Sequence, residues 1–378
     1  MTESKARHYR IACIKGDGIG PEVINEAMKV TEKAASAFGF TVEWTELPYG
    51  ANHYLRTQEV LPDEALKEIG KHDALLLGAI GDPSVRPGIL EQGILLKLRF
   101  HFDQYVNLRP AKSFPRVFLP VKADNVDIVV VRENTEDFYI GLGGRWEKST
   151  SQQSFNLKRA NYEMSGDLRL EFSPKSNAAA QVGIATEGAV RRITAYACKA
   201  AQARGEDTVT LASKSNALSW IYGFWEDVAK DEAQKQGMKL QVANVDALCY
   251  HLVRDPSKWG VILTPNMFGD IVSDLLAGIA GGLGVAAGAN IGDGLSMFEP
   301  VHGSAPDIAG TGKANPVAAI LSAALMLGHL KEEEAAKAIE EGVRSYLEEA
   351  AKDELPWEFG GKASTESVGD WIAEKVHP

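Results

Sequence analysis

Apolar residues fall along this chain in short bursts that alternate with longer helical stripes. Tyr9 to Ile14 is a burst of strand length, and Gly16-Asp17-Gly18-Ile19-Gly20 follows it as a flexible turn. Pro21 suits the first turn of a helix, because it has no N–H to leave unpaired. Val23, Ala27, Val30, Ala34 and Phe38 then recur at helical spacing, and Gly39 ends the run. Ala74 to Ala79, Val126 to Val131, Thr208 to Ser213 and Gly260 to Thr264 read as further strands. Glu187 to Ala203 reads as a helix capped by Thr186. Such alternation predicts an α/β protein with a largely parallel sheet. The stretch Trp146 to Lys175 differs: it is polar, rich in Ser, Lys and Asn, and has no sustained period. It is expected to leave the body of the protein as an arm or a loop.

Length and composition narrow the class. A chain of 378 residues suits two domains, or one large α/β unit with a subdomain. The longest apolar runs, such as Ala74 to Leu77, are far too short to cross a bilayer, so no membrane partner is expected. Met1 to Arg10 is polar and lacks the apolar centre of a signal peptide. Cys13, Cys198 and Cys249 are widely spaced and odd in number, which argues against a disulfide framework and for a reduced, cytoplasmic setting. A net charge of −11 with no basic stripe argues against nucleic acid as a partner. An anionic substrate would need a local cluster of arginines.

Several segments carry candidate chemistry. The turn at Gly16 to Gly20 has the pattern G-x-G-x-G followed by proline, a poor match to a dinucleotide fingerprint and equally a tight strand-to-helix turn. Asp270 and Asp274 are four apart and share a helix face, flanked by Ile271 and Leu275, which are expected to anchor that helix to the core. Such a pair is either a solvated acidic surface or half of a site for a hard cation, Mg²⁺ or Mn²⁺. Arg99, Arg109 and Arg132 are either surface arginines or a grip for carboxylates. Arg132 directly follows an apolar strand, where ligands of α/β sheets bind. Tyr139 and Lys214 are acid–base candidates. His302 to Asp307 is a loop of small residues with room for a close ligand, and it lacks the P-loop pattern.

Taken together, these segments resemble the β-decarboxylating dehydrogenase family, which includes isopropylmalate, isocitrate, homoisocitrate and tartrate/D-malate dehydrogenases. The resemblance rests on GDGIGPEV (16–23), LLKLR (95–99), NLRPAK (107–112), VRENTEDFY (131–139), SKSNA (213–217), NVDA (244–247), NMFGDIVSD (266–274), FEPVHGSAPDIAG (298–310) and ANP (314–316), in that order along nearly the whole chain. It implies an isopropylmalate-dehydrogenase-like two-domain α/β fold that is not Rossmann. Residues 1–104 and 281–378 would form a large cofactor-side domain, and residues 105–280 a small domain with the dimer interface and a protruding arm at about 146–185. It also implies the site. Arg99, Arg109 and Arg132 would hold the carboxylates of a dicarboxylic 2-hydroxy acid. Asp270 and Asp274, with Asp246 from a second subunit, would bind the metal. Lys214, also from the neighbour, would take the C2 hydroxyl proton, and Tyr139 would protonate C3 after carbon dioxide leaves, its pKa lowered by nearby cations. His302, Gly303, Ser304, Ala305, Asp307 and Asn315 would cradle the adenosine of NAD. Asp307 marks NAD rather than NADP, because its carboxylate would repel a 2′-phosphate. The implied assembly is a homodimer or larger homo-oligomer.

The resemblance leaves the C3 substituent open. Gly93 and Leu95 stand where isocitrate enzymes usually carry Ser and Asn, which counts against isocitrate. Leu95 and Leu96 suit an alkyl group, as in 3-isopropylmalate. Gln92 stands where isopropylmalate enzymes typically carry Glu, and the LLK-type loop and FDQYVNLRP (102–110) resemble tartrate/D-malate relatives, so D-malate, tartrate or another 3-alkylmalate is the alternative. A non-catalytic subunit on the same fold would lack some of Asp246, Asp270, Asp274, Lys214 and Tyr139, and all five are present.

Overall fold

The fold follows from strands that are apolar on both sides. The structure, a computed structural model, describes residues 7–146, 151–159, 162–171 and 176–378. Residues 1–6 of the polar N-terminal stretch, and residues 147–150, 160–161 and 172–175 of the polar excursion, lie outside the described residues. Strand β1 (Arg7–Gly16) sends Ile11 and Cys13 to one face and Ala12 and Ile14 to the other, and all four are fully buried. Such a strand needs cover on both faces.

The strands after it are β2 (Phe40–Glu46), β3 (Ala74–Ala79), β4 (Val106–Lys112), β5 (Asp127–Glu133), β6 (Gly143–Trp146), β7 (Ser151–Lys158), β8 (Glu163–Leu170), β9 (Ala178–Gln181), β10 (Thr208–Ser213), β11 (Lys239–Asn244), β12 (Val261–Thr264), β13 (Ala287–Ile291) and β14 (Ser296–Pro300). Ten of them form one sheet in the order β11-β10-β12-β5-β4-β13-β14-β3-β1-β2. The expectation of a largely parallel sheet needs one correction: the pairings β5/β4, β4/β13 and β13/β14 at its centre are antiparallel, and the two flanks are parallel. The cause is local for β13 and β14, since residues 292–295 are too short for a crossover.

Each parallel flank has its own pair of cores. Helices Gly20–Phe38, Val317–His329, Glu333–Glu349 and Thr365–Lys375 cover Ile11, Cys13, Leu76 and Phe298, while Ala12, Ile14, Leu75 and Leu77 pack on the opposite face with Leu61, Leu66 and Ile69. In the other flank Val129, Val131, Leu211 and Leu263 face helices Glu187–Ala203 and Ser219–Lys235. Ile128, Val130 and Ile262 face helices Val245–Arg254 and Asn266–Ala280. The caps fall where the side chains predict: Thr186 accepts a hydrogen bond from Ala189 N, and Gly39 ends its helix in the left-handed conformation at φ 73°. Among the described residues no helix is long and apolar enough to cross a membrane.

Two further expectations change. The excursion is regular despite its lack of a sustained apolar period: β6 pairs with β9, and β7 pairs with β8 from Ser151↔Leu170 to Lys158↔Glu163. From 162 to 169 its side chains alternate between exposed and half-buried, so this is a ribbon without a core of its own. Helix Asn266–Ala280 meets the sheet through Phe268, Val272, Leu276 and Ile279, with Leu275 packed beside them, whereas Ile271 is 57% exposed. The buried stripe lies one position further round than the sequence reading put it.

Gly269, in the first turn of that helix, is a packing requirement. A Cβ there would fall inside contact distance of Thr264 Oγ1 and of Cβ and Cγ of Arg132. Alanine is the better helix former by about 1 kcal/mol, yet Gly269→Ala should destabilise the protein by about 1–3 kcal/mol through overpacking. The urea midpoint measures this, and a rise in midpoint would show that Arg132 moves aside at no cost.

Candidate active site

The antiparallel centre of the sheet holds the polar residues that the two flanks exclude. Arg99 comes from the short helix Lys97–His101, Arg109 from β4 and Arg132 from the end of β5, and all three are buried. A buried guanidinium needs partners, and a ladder of side chains supplies them. Arg99 Nη2 donates to Glu299 Oε1 at 3.2 Å, and Asn290 Nδ2 donates to the same oxygen at 2.8 Å. Asn290 Oδ1 accepts from Asn107 Nδ2 at 2.9 Å and from Asn134 Nδ2 at 3.0 Å. Asn107 Oδ1 accepts from Arg109 Nε at 2.8 Å. Arg132 Nε donates to Asn266 Oδ1 at 2.9 Å, and its Nη1 donates to Asp270 Oδ1 at 2.5 Å. Among the described residues Arg99 Nε is a buried donor of this cluster with no partner, which suits an anionic ligand.

Asp270 joins this cluster to Tyr139, whose hydroxyl donates to Asp270 Oδ2 at 2.7 Å while the Arg132 guanidinium lies 5.3 Å from the Tyr139 ring centre. Burial alone would raise the Asp270 pKa. Arg132, the Tyr139 hydroxyl and Arg109 outweigh it and hold the carboxyl below its usual range. Tyr139 moves the other way from the expectation. Burial, then the hydrogen bond and charge of Asp270, push its pKa up to about 12, against the smaller opposite pull of Arg132 and Arg99. Asp274 sits one turn on, its Oδ1 4.0 Å from Arg109 Nη1. Its pKa is raised, first by burial and also by the charge of Asp270.

These two carboxylates fit a hard divalent cation, being oxygen donors on one helix face beside three buried arginines. They do not complete a cation shell. Among the described residues there is no group of three or more His, Cys, Asp or Glu able to hold a metal. Asp246 and Lys214 lie elsewhere, at the ends of β11 and β10, where Lys214 Nζ donates to Asp246 Oδ1 at 2.8 Å. Among the described residues no hydrogen bond or ion pair joins this pair to the arginine cluster. Large apolar side chains are exposed near this pair in the chain: Leu218 and Trp220, the latter 94% exposed, follow Lys214, and Tyr250 and Val253 stand on the helix that carries Asp246.

The glycine-rich turn and the His302 loop meet. Ile19 N donates to Ser304 O at 2.9 Å, and Gly18, at φ 56°, approaches Ser304 so closely that a Cβ would overlap its carbonyl. Asp17 is buried and accepts from Ala51 N at 2.7 Å and Gly81 N at 3.0 Å, so the turn is a structural joint. Beside it a cleft of about 550 Å³ is lined by Ile19, His302, Ile308, Asn315, Trp357 and Glu358, among others. His302 Nε2 is buried there with no partner, and desolvation keeps the imidazole below its ordinary pKa, hence neutral. An orphaned polar atom in an apolar cleft fits an adenosine-like ligand. Asp307 is exposed, next to Ile308, and Gly303 is exposed, while Ala305 takes a left-handed φ of 38°.

Sequence reasoning missed Glu299, Asn290, Asn107 and Asn266 as partners of the arginines, and Trp357 and Glu358 as walls of the cleft. For Asn107 a signal existed: it stands two residues before Arg109 on a strand and so shares its face. Glu358 is bonded by Asn315 Nδ2 at 2.9 Å, a contact across 43 residues that no local pattern reveals.

A sequence profile described as isocitrate/isopropylmalate dehydrogenase matches residues 10–372. A 3-isopropylmalate dehydrogenase of Thermobifida fusca is 42% identical over 378 residues, covering 98% of each chain. One of Nocardia farcinica is 43% identical, covering 97% of this chain and all of that one. Among solved structures, isocitrate dehydrogenase from Methylococcus capsulatus superposes with a TM-score of 0.83 at 32% identity, covering 98% of this chain and 100% of that one. A β-decarboxylating dehydrogenase from Thermococcus kodakarensis gives 0.75 at 33% identity, covering 97% and 96%.

The Asp270–Tyr139 pair makes a prediction of definite sign. Asp270 contributes both a hydrogen bond and a charge that raise the Tyr139 pKa, so Asp270→Asn should lower it from about 12. Tyrosine labelled with ¹³C at Cζ reports this by NMR titration, with Tyr139→Phe assigning the signal. A Tyr139 pKa that stays near 12 in Asp270→Asn would show that the pair does not set it.

Proposed function

The chain belongs to the isocitrate/isopropylmalate dehydrogenase family, and from that premise we propose that it oxidises and decarboxylates 3-isopropylmalate, with NAD as acceptor and Mg²⁺ or Mn²⁺ as activating cation. The observation that carries this reading is the cluster of three buried arginines, one with a spare donor, against the Asp270/Asp274 pair. Arg99, Arg109 and Arg132 hold the two carboxylates of the substrate. Their fixed, desolvated geometry favours a dianion and orients its C2–C3 bond. Asp270 and Asp274 hold the cation from one subunit, and Asp246 of a second copy completes it. The bound groups supply hydride acceptance at NAD and electron withdrawal from the C2 oxygen at the cation. Lys214 of that second copy takes the proton of the C2 hydroxyl. The C3 carboxylate then leaves as carbon dioxide, and Tyr139 gives its phenol proton to C3. With a pKa near 12 the phenol is fully protonated at neutral pH, as a late donor must be.

His302 to Ala305, Asp307 and Asn315 receive the adenosine, and the exposed carboxylate of Asp307 selects NAD over NADP. The alkyl group of the substrate is met by Leu95 and Leu96, half-buried in or beside the π-helical segment Glu91–Leu96, a form frequent at functional sites. The names of the relatives with 41–43% identity support this choice over D-malate or tartrate, which Gln92 and FDQYVNLRP (102–110) keep as the second reading.

The chain acts as a homodimer or larger homo-oligomer. Support comes from the separation of Lys214–Asp246 from the arginine cluster of its own chain, and from the exposed apolar side chains near that pair in the chain. Residues 1–104 with 281–378, and residues 105–280, are taken as the two domains, and the separate cores of the sheet's flanks support that division. The excursion beyond β6 is the arm. A cytoplasmic setting suits three cysteines with no disulfide.

NADH formation measured with 3-isopropylmalate, other 3-alkylmalates, D-malate, tartrate and isocitrate, with and without Mn²⁺, tests the reading. The highest kcat/KM is expected for 3-isopropylmalate, with NAD preferred to NADP and activity lost on chelation. A preference for D-malate or tartrate would move the assignment to the second reading, and no activity with any acid would reject the class.

Shared sites make a separate prediction. Lys214→Ala and Asp270→Ala are each expected to be inactive alone. Mixed under conditions of subunit exchange, they should recover part of the activity, because a hybrid dimer rebuilds one intact site. Exchange shown by mass spectrometry with no recovery would contradict the sharing.

A further inference from the structure

One side chain of the excursion reaches back to the arginine cluster. Arg159 follows β7, and its backbone N–H bonds to Tyr162 O at 2.9 Å. Its guanidinium lies 4.1 Å over the ring centre of Phe100, and its Nε donates to Thr135 O at 3.3 Å. Phe100 immediately follows Arg99, and Thr135 stands three residues beyond Arg132. A single residue far along the ribbon therefore spans the two segments that carry Arg99 and Arg132.

The seat beneath it is built rather than incidental. Glu133 is buried and accepts from Thr135 N at 2.9 Å, Thr135 Oγ1 at 2.6 Å and Glu136 N at 2.8 Å. Glu136 accepts from Thr186 N at 2.7 Å and Thr186 Oγ1 at 2.6 Å. Arg192 pairs with Asp103 and donates to Thr135 Oγ1 at 3.3 Å. The charges of Glu136, Glu133 and Asp103 all act on Arg159, and the Tyr162 phenol faces Glu136. Arg159 brings a second cation to this acidic seat beside Arg192. Stacking on Phe100 compensates in turn for the desolvation of Arg159.

We propose that Arg159 is a positioning residue for substrate binding: by clamping Phe100 to Thr135 it holds Arg99 and Arg132 at the spacing a dicarboxylate requires. The assignment rests on the reading of these arginines as the carboxylate site. It gives the ribbon a part in the active site of its own chain, apart from any contact with a second copy.

The test uses the full-length protein and two readouts. In ligand-free protein, Arg159→Ala should speed amide hydrogen exchange across 98–101 by about tenfold, the factor that about 1.4 kcal/mol of lost anchoring gives. In the assay it should raise KM for the hydroxy acid by about tenfold, with kcat and the KM for NAD nearly unchanged. Phe100→Leu should give the same rise, and the double variant little more, since both remove one contact. Arg159→Lys, which keeps the charge and loses the planar stack, should fall between. If Arg159→Ala does not fold, Phe100→Leu and Arg159→Lys carry the same comparison. Unchanged exchange at 98–101, or an unchanged KM for the acid, overturns the proposal even if the ribbon becomes sensitive to protease. If the wild-type protein oxidises none of the acids, the reading of function fails, while the exchange data still decide whether the clamp exists.

Discussion

Three guanidinium groups buried close together repel one another, and the centre of this protein is organised around that repulsion. Burial lowers the pKa of Arg132 to about 10, and the charges of Arg99 and Arg109 act in the same direction against the pull of Asp270. Arg109 is lowered first by burial and also by the charge of Arg99. A buried guanidinium needs countercharge close by. Glu299 serves Arg99, Asp270 serves Arg132, and Asp274 stands at the edge of Arg109. Three cations against three carboxylates is a balanced set. A dicarboxylate and a divalent cation entering together add no net charge to it, whereas either alone would leave an excess at low dielectric. Electrostatics thus favours joint occupancy before any contact is specified.

The sheet topology follows from where this set can sit. The parallel flanks are apolar on both faces and have no room for unpaired polar groups. Where they meet, β4, β13 and β14 run antiparallel and expose alternate positions to one another. Asn107, Asn290 and Glu299 occupy those positions and link Arg109 to Arg99 through hydrogen bonds of 2.8–3.2 Å. The ladder fixes the guanidinium groups in the ligand-free chain, the kind of preorganisation that leaves little to rearrange when a ligand binds.

Much of this was legible in the sequence, because strand and helix periods are local. Helix Glu187–Ala203 and its Thr186 cap, the strands Ala74–Ala79 and Thr208–Ser213, and the shared face of Asp270 and Asp274 all follow from spacing. The antiparallel centre was not legible, because the pairing of β4 with β13 joins residues some 180 positions apart through a register that no local pattern encodes. The regular ribbon was missed for a different reason: Phe155 and Leu157, and Met164 and Leu168, do alternate with polar residues, but the alternation is short and Gly166 interrupts it. Ile271 misled because an apolar residue beside an acidic pair looks like an anchor, while the true stripe is set by the neighbouring positions Phe268, Val272 and Leu276. For Tyr139 the resemblance supplied a role, and the expected direction of its pKa shift was wrong because the partner that dominates is an anion, Asp270, rather than the arginines around it.

That last point bears on how an acid of this kind stays in reserve. Desolvation and Asp270 together outweigh Arg132 and Arg99 at the phenol, so in the ligand-free chain Tyr139 is a weaker acid than free tyrosine. In the proposed site the same carboxylate is one of the cation's ligands. Any positive charge that engages Asp270 weakens its hold on the phenol in two ways, by sharing the oxygen that accepts the hydrogen bond and by cancelling the charge that opposes ionisation. Under the proposed function, a cation held at Asp270 would strengthen the acid. Acid strength and occupancy are coupled through one side chain, and the coupling needs no movement of the backbone. Asp270 is bound at both oxygens, to Arg132 on one side and Tyr139 on the other, so a change in charge at this carboxylate reaches the phenol directly.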